Sequence, residues 1–142
     1  MEKKKFKVIL VSGGFDPVHK GHLEMIESAR SLADEVWVIL NNDQWLRNKK
    51  GKHFMKEDER RYIMSQFKGV TETFICHPRI AGDTTATDGI YAAHQCWMRK
   101  YGKAPKEGEM AFGNGGDRGI NNVPEEDYCK SMGISMVWNL GE

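Results

Sequence analysis

Two histidines and three glycines stand close together near the start of the chain. They lie in the stretch 13–23, GGFDPVHKGHL, in which His19 and His22 are three positions apart. The apolar run Val8–Val11 precedes this stretch and a helical pattern follows it, so the histidines fall where a strand passes into a helix. The N-terminus of a helix binds anions through free N–H groups and its positive dipole end, and imidazoles donate hydrogen bonds to phosphate oxygens. The stretch therefore predicts a site for a nucleoside triphosphate.

Two other roles for the histidines stay open at this point. A histidine at a helix start can serve only as a cap, and a pair at this spacing can lie on one helix face and bind a metal ion. A metal would need further ligands, and no Asp, Glu or Cys nearby is obviously placed to supply them, so phosphate contact is favoured. Asp16 either orients a histidine or the loop, or caps a turn before Pro17, and the structural role is preferred slightly.

The residues from Gly14 to His22 resemble the GxFDxxHxGH signature of the cytidylyltransferase-like nucleotidyltransferases. This family includes glycerol-3-phosphate and phosphoethanolamine cytidylyltransferases and several small adenylyltransferases, and the resemblance covers essentially the whole chain. It implies that both histidines contact the triphosphate and stabilise charge as the α-phosphorus becomes five-coordinate. It also implies backbone N–H contacts from Gly14 and Phe15, a nucleotide contact near Asp16, and close approach of the nucleotide to the helix at Gly21.

A run of positive charge, residues 47–52, follows the second predicted strand. Such a run is usually a solvated surface, but a loop at this place overlooks the phosphate site. The family resemblance points to Lys49 and Lys50, with Lys52 as a further candidate, as the cations that hold the acceptor phosphate and the triphosphate. By the same resemblance Arg60 contacts the acceptor phosphate, since a guanidinium suits bidentate phosphate binding, and the alternative is an ordinary helix-surface arginine.

A third candidate segment, residues 112–118, follows the fourth predicted strand. Its three glycines suggest close backbone approach, although a plain turn has the same composition. The segment resembles the family's GxD motif in the ribose and base region of the nucleotide. The resemblance implies nucleotide contacts from Asn114, Gly116, Asp117 and Arg118, with Asp117 accepting from ribose hydroxyls and Arg118 reaching phosphate.

The elements that must position these residues alternate between short apolar runs and helical patterns. The predicted strands are 6–12, 36–40, 70–76, 109–113 and 134–138, and the predicted helices run through 23–33, 56–67, 90–101 and from about Pro124 to Gly133. Continuous apolar strands separated by helices predict an α/β fold: a Rossmann-like five-stranded parallel sheet with helices on both faces. Ligands bind such sheets beyond the carboxyl ends of the strands, so the loops after the first four strands should meet at one site.

Size and composition limit the classes of function. A chain of 142 residues suits a single nucleotidyltransferase domain spanning 1–142. Its 21 Lys and Arg nearly balance 20 Asp and Glu, which gives no reason to expect nucleic acid or a membrane as partner. No segment reaches the roughly 20 apolar residues of a spanning helix or forms a secretory signal. Three widely spaced cysteines favour reduced thiols, and hence a cytoplasmic protein, over a disulfide frame or a zinc site.

These observations predict an enzyme that transfers CMP or AMP from CTP or ATP to a phosphorylated small molecule and releases pyrophosphate. Cytidylyl transfer is favoured weakly over adenylyl transfer. Mg²⁺ is expected, held mainly by the triphosphate rather than by a protein cage, and relatives suggest a homodimer. The alternative is a nucleotide-binding module of the same fold without catalysis.

That alternative rests on the end of the sequence. Relatives follow the fifth strand with a Ser/Thr-rich turn that opens a helix over the triphosphate, whereas this sequence ends at Glu142, where that turn would begin. We therefore expect several donors to the β- and γ-phosphates to be missing. Three explanations stay open: the sequence is truncated, another loop or subunit supplies the donors, or the activity is weak.

Overall fold

The computed structural model describes residues 4–80, 85–115 and 124–140, and within them strands alternate with helices. The strands are β1 (Phe6–Gly13), β2 (Ala33–Asn41), β3 (Val70–Cys76), β4 (Met110–Gly115) and β5 (Ser135–Leu140). The helices are α1 (Lys20–Leu32), α2 (Asp43–Lys50), α3 (Glu57–Ser65), α4 (Thr87–Tyr101) and α5 (Glu125–Ser131). Within the described ranges, none of these helices has the length and apolar character needed to cross a membrane.

The five strands form one parallel sheet in the order β3-β2-β1-β4-β5. The chain moves outward from β1 to β3 in one direction and then returns to place β4 on the other side of β1. The order therefore reverses between β1 and β4, and the crevice beyond their carboxyl ends is the place where open α/β sheets bind ligands. The loop that follows β1 and the carboxyl end of β4 border this crevice.

Both faces of the sheet are covered, because the strands bury side chains alternately on each side. Ile9 and Val11 of β1 pack in one cluster with residues of α1 and α3, whereas Val8 and Leu10 pack in the other with residues of α4 and α5. All four side chains are fully buried. Strands buried on both faces read as continuous apolar runs, which is why they stand out in the sequence. The predicted Rossmann-like α/β fold is confirmed.

Two element predictions are wrong. Residues 47–52 were expected to be a loop, but residues up to Lys50 form the last turns of α2, whose start the Asn42 side chain caps by accepting from the Trp45 N–H at 2.7 Å. Gly51, at φ 85°, ends this helix in a left-handed conformation. An eight-residue helix with one fully buried apolar residue, Leu46, carries too little periodicity to be recognised. Ala33, expected in the first helix, instead begins β2.

Candidate active site

His19 and His22 cap the N-terminus of α1 reciprocally. His19 is the N-cap residue, and its Nδ1 accepts the N–H of Gly21 at 3.1 Å. The Nδ1 of His22 in turn accepts the N–H of His19 at 3.1 Å, and the two rings stack with centroids 3.9 Å apart. A backbone N–H can only donate, so each Nδ1 must be unprotonated and each neutral ring carries its proton on Nε2. Capping thus makes the two Nε2 atoms the hydrogen-bond donors of the site.

The surroundings of His22 favour this neutral form. Burial, and secondarily the nearby His19, lower the pKa of His22 from its usual 6.5 to about 4. The ring of Phe15 lies edge-on to His22, with centroids 4.7 Å apart, and is itself almost fully buried. The buried Phe15 ring therefore packs against the imidazole of His22. The backbone of Phe15 has φ 52°, a value that residues other than glycine seldom adopt. The predicted phosphate contact of its backbone N–H stays a prediction.

Two glycines are required by close packing in the loop and the helix start. A Cβ on Gly21 would lie 2.9 Å from Cε1 of His19, so a larger residue would push that ring out of place. A Cβ on Gly14 would lie 2.8 Å from Cδ2 of Leu46, where the loop meets α2. The predicted contacts of both glycines with the nucleotide are compatible with this packing role and are not tested by it.

Asp16 holds the segment 51–56 against the histidine-bearing loop. Its two carboxylate oxygens accept the N–H groups of Phe54 and Met55. Of the roles considered from the sequence, the structure shows the one in which Asp16 orients a loop. A direct contact between Asp16 and the nucleotide stays a prediction.

Arg60 is fully buried, and its position corrects both alternatives drawn from the sequence. Its guanidinium donates to the carbonyl oxygens of Met55 at 2.9 Å, Gly14 at 2.8 Å and Asn41 at 2.6 Å, and to Oδ1 of Asp43 at 2.8 Å. The side chain is 0% exposed, so it is neither a surface arginine nor placed to reach an acceptor phosphate. Periodicity did not identify this residue as buried, because its four acceptors come from three separate segments of the chain.

The predicted lysines are carried on α2 rather than on a loop. Lys49 and Lys50 occupy its last turn, and Lys52 follows it as an exposed residue. Arg47, also exposed, contacts Nδ1 of His53 at 3.1 Å and donates to Gln44. That Lys49 and Lys50 bind phosphate stays a prediction.

The third candidate segment is described only in part. Asn114, near the end of β4, is 6% exposed, and its Nδ2 has no hydrogen-bond partner among the described residues. A buried amide donor without a partner costs free energy, which a ligand oxygen at this edge would offset. The other three predicted residues of this segment, Gly116, Asp117 and Arg118, lie outside the described residues.

A pocket of about 530 Å³ brings the motif residues together beside α2. It is lined by Gly14, Phe15, Asp16, Pro17, His19, His22, Trp45 and Leu46. Trp45 was missed from the sequence, although an aromatic residue two positions before the charged run 47–52 was the available signal. Arg60 is not among the described residues that line it.

No protein-only metal cage is evident in the described part of the chain. Within it, no three or more His, Cys, Asp or Glu residues are grouped so that they could hold a metal ion. The one carboxylate in the pocket, that of Asp16, already accepts two N–H groups. That a Mg²⁺ ion is held mainly by the nucleotide phosphates stays a prediction. In that arrangement its ligands would be phosphate oxygens and water.

Comparison with known sequences places these features in a family. Residues 10–110 match the family model described as cytidylyltransferase-like. The chain is 33% identical over 69 residues to an FAD synthase of Aciduliprofundum boonei, and 34% identical over 87 residues to an ethanolamine-phosphate cytidylyltransferase of Arabidopsis thaliana. These matches cover 49% and 59% of this chain, but only 46% and 21% of the two relatives.

Solved structures share the fold. A lipopolysaccharide core biosynthesis protein of Thermoplasma volcanium superposes with a TM-score of 0.61 at 18% identity, covering 94% of this chain and 93% of that one. A bifunctional NMN adenylyltransferase/ADP ribose pyrophosphatase of Francisella tularensis, complexed with AMP and a manganese ion, gives 0.58 at 13% identity and covers 94% and 36%. The family match spans the paired histidines, the pocket and most of the sheet, and this chain belongs to the cytidylyltransferase-like family of nucleotidyltransferases.

Proposed function

We propose that this chain transfers a nucleotidyl group from CTP or ATP to a phosphorylated small molecule, with release of pyrophosphate. The observation that supports this proposal most directly is the reciprocal capping of His19 and His22. Two neutral imidazoles with their protons on Nε2 line one pocket at the N-terminus of a 13-residue helix. That combination of fixed donors and a positive dipole end suits a polyphosphate.

The chemistry needs positioning more than acid–base catalysis. An oxygen of the acceptor phosphate attacks the α-phosphorus, the new P–O bond forms, and the bond to the bridging oxygen of the β-phosphate breaks, so that pyrophosphate leaves with its charge. The acceptor oxygen is ionised at neutral pH and no general base is required. The protein's task is to align the two phosphates and to stabilise charge that develops at the α-phosphoryl group.

In this proposal the Nε2–H groups of His19 and His22 donate to oxygens of the triphosphate. The His22 ring is already partly desolvated, so it loses little hydration when the ligand binds, and a negative charge placed beside it would raise its lowered pKa. Lys49 and Lys50 are proposed to offset the repulsion between the acceptor and the triphosphate. Mg²⁺, bound to the nucleotide phosphates, would supply further charge neutralisation.

Arg60 and Asp16 act as positioning residues in this scheme. Arg60 joins the loop after β1 to the end of β2 and the start of α2. Asp16 joins the same loop to Phe54 and Met55. Both therefore keep the lysine-bearing helix at a fixed distance from the histidines without touching substrate.

The choice of base is left to experiment, because the relatives by name include both FAD synthases and a cytidylyltransferase. Cytidylyl transfer stays weakly favoured over adenylyl transfer as a prediction. A single domain over 1–142 and a homodimer also stay predictions. Asn114, whose buried Nδ2 has no hydrogen-bond partner among the described residues, is proposed to contact the base or ribose.

The test combines binding with turnover. Calorimetry with CTP, ATP, UTP and GTP and Mg²⁺ identifies the nucleotide, and pyrophosphate release is then measured across phosphorylated alcohols and sugars. His19→Ala and His22→Ala should each lower the rate by about 100-fold or more, whereas His77→Ala, two strands away from β1, should leave it unchanged. Unchanged pyrophosphate release in both motif variants would overturn the mechanism, and tight nucleotide binding without turnover of any acceptor would identify a non-catalytic binding module.

A further inference from the structure

The first residue of α2 is held by two side chains of α3. The Asp43 N–H donates to Oε1 of Glu57 at 2.9 Å, and Oδ1 of Asp43 accepts from Nη2 of Arg60 at 2.8 Å. Glu57 and Arg60 stand three positions apart in α3 and therefore lie on the same face of that helix. One of them thus binds the backbone of α2 at its start, and the other binds a side chain there.

The backbone contact acts on the helix more directly than the other contacts at this end. The Arg60 bond reaches α2 through the rotatable side chain of Asp43. Asn42, which caps α2 by accepting the Trp45 N–H, is the neighbouring residue of the same chain segment and moves with the helix. Glu57 belongs to another element and binds the backbone itself, so its contact fixes where α2 begins relative to α3.

The start of α2 decides where its last turn lies. Leu46, 1% exposed, fixes the middle of the helix where it meets Gly14. One such point lets the helix axis swing, whereas a second point at Asp43 defines its direction. Lys49 and Lys50 follow Leu46 by about 4.5–6 Å along the axis, so a swing of about 10–15° displaces their backbone by about 1 Å. A misplacement of about 1 Å can lower a rate by about 100-fold.

We propose that Glu57 is a positioning residue of the reaction: its carboxylate sets the direction of α2 through the Asp43 N–H and thereby places Lys49 and Lys50 beside the phosphates. This inference rests on the proposed nucleotidyl transfer, in which these lysines offset the repulsion between the two substrates.

The contact matters for position more than for stability. Glu57 is half-buried and the Asp43 side chain is 19% exposed, so water can take the place of the carboxylate at the Asp43 N–H. The same first turn of α3 also carries Asp58 and Glu59, which are exposed and favour the positive end of the helix dipole as Glu57 does. Glu59→Ala is therefore a matched control, because it removes a first-turn carboxylate but not the contact with α2.

The experiment is a mutant cycle that asks whether Glu57 acts through the lysines. Pyrophosphate release is measured with the preferred nucleotide and Mg²⁺ saturating and the acceptor varied, in the wild type, in Glu57→Ala, in a lysine-free background (Lys49→Met with Lys50→Met), and in all three changes combined. Glu57→Ala should lower kcat/KM by about 10- to 100-fold in the wild-type background. In the lysine-free background it should lower kcat/KM by about twofold or less, because the groups that it places are gone.

Three further measurements separate position from stability. Glu57→Gln keeps an Oε1 acceptor for the Asp43 N–H and should retain most of the wild-type rate, and Glu59→Ala should leave it unchanged. The melting temperature of Glu57→Ala should fall by about 4 °C or less, as expected for one hydrogen bond that water can replace.

Equal effects of Glu57→Ala in the two backgrounds, or a Glu57→Gln variant as slow as Glu57→Ala, would overturn the inference. A Glu57→Ala chain that is unfolded at the assay temperature would also overturn it, because the contact would then serve stability. If the wild type binds CTP or ATP but releases no pyrophosphate, the same cycle is measured on the Kd of that nucleotide, with the same two outcomes. A wild type that binds neither nucleotide would overturn the proposed function itself, and the positioning role with it, which is a separate result.

Discussion

The guanidinium of Arg60 donates a 2.8 Å hydrogen bond to the carbonyl oxygen of Gly14, which ties α3 to the loop that carries the histidines. The same side chain reaches the end of β2 and the start of α2. One buried cation thus fixes the relative position of the two segments that the proposed reaction must hold together. Its energetic role can be measured separately from its effect on catalysis.

Arg60→Leu should lower the free energy of unfolding by about 3–5 kcal/mol, because the substitution leaves buried carbonyl oxygens and the Asp43 carboxylate without their donor. Arg60→Lys should recover part of this loss, since an ammonium keeps the charge but cannot span four acceptors. Urea unfolding measures both. The control is Arg61→Leu, whose exposed side chain donates only to Thr73 and whose loss should cost about 1 kcal/mol or less. Equal losses for the two leucine variants would contradict the structural role of Arg60.

Asp16→Asn should loosen the segment 51–56. An amide retains one acceptor oxygen but presents an NH₂ group to the second backbone donor, so one of the bonds to Phe54 and Met55 is lost at a cost of about 1–3 kcal/mol. Amide hydrogen exchange should become at least about tenfold faster at these two positions, while exchange in β1 stays slow. The control is Asp34→Asn, which removes an exposed carboxylate at the start of β2 and should change the exchange rate of neither Phe54 nor Met55. Unaltered exchange at Phe54 and Met55 in Asp16→Asn would show that the segment is held by other contacts.

The centre of the sheet was predictable because β1 and β2 carry continuous apolar runs, 8–11 and 36–40, that are buried on both faces. The edge strand β3, which is only partly buried, was also predicted to the residue. The histidine motif was predictable because its residues are contiguous. Arg60 and Trp45 were not placed correctly, since the burial of one depends on acceptors from distant segments and the other stands on a short helix stabilised by its cap. The local sequence pattern predicts helices, strands and contiguous motifs. Whether a charged side chain lies in the core or in the functional site depends on tertiary contacts, which the local pattern does not contain.

Stability should depend on pH through His22. Its pKa is about 4 in the folded chain and 6.5 as an ordinary histidine, so the unfolded chain binds more protons between these two values. The free energy of unfolding should therefore rise as the pH rises from 4 to 6.5 and show no further contribution from this residue above 6.5. His22→Asn, whose side-chain oxygen can still accept the His19 N–H, removes the titration but keeps the cap. Chemical unfolding across this range should show the wild type losing stability relative to His22→Asn as the pH falls; parallel curves would contradict the lowered pKa.

The two nitrogens of His19 can be separated by two amide substitutions. In His19→Asn the side-chain oxygen takes the place of Nδ1 and is a favourable N-cap, but nothing replaces the Nε2–H group, so stability should change by about 0.5 kcal/mol or less while the rate of pyrophosphate release falls by about 100- to 1000-fold. In His19→Gln the longer amide places an N–H donor near the Nε2 position and loses the cap, so stability should fall by about 1 kcal/mol and the rate should fall less. Urea unfolding and single-turnover kinetics measure the two effects on the same preparations. If rate followed stability across the pair, the histidine would act only as a helix cap and the proposed contact between its Nε2–H and the triphosphate would be lost.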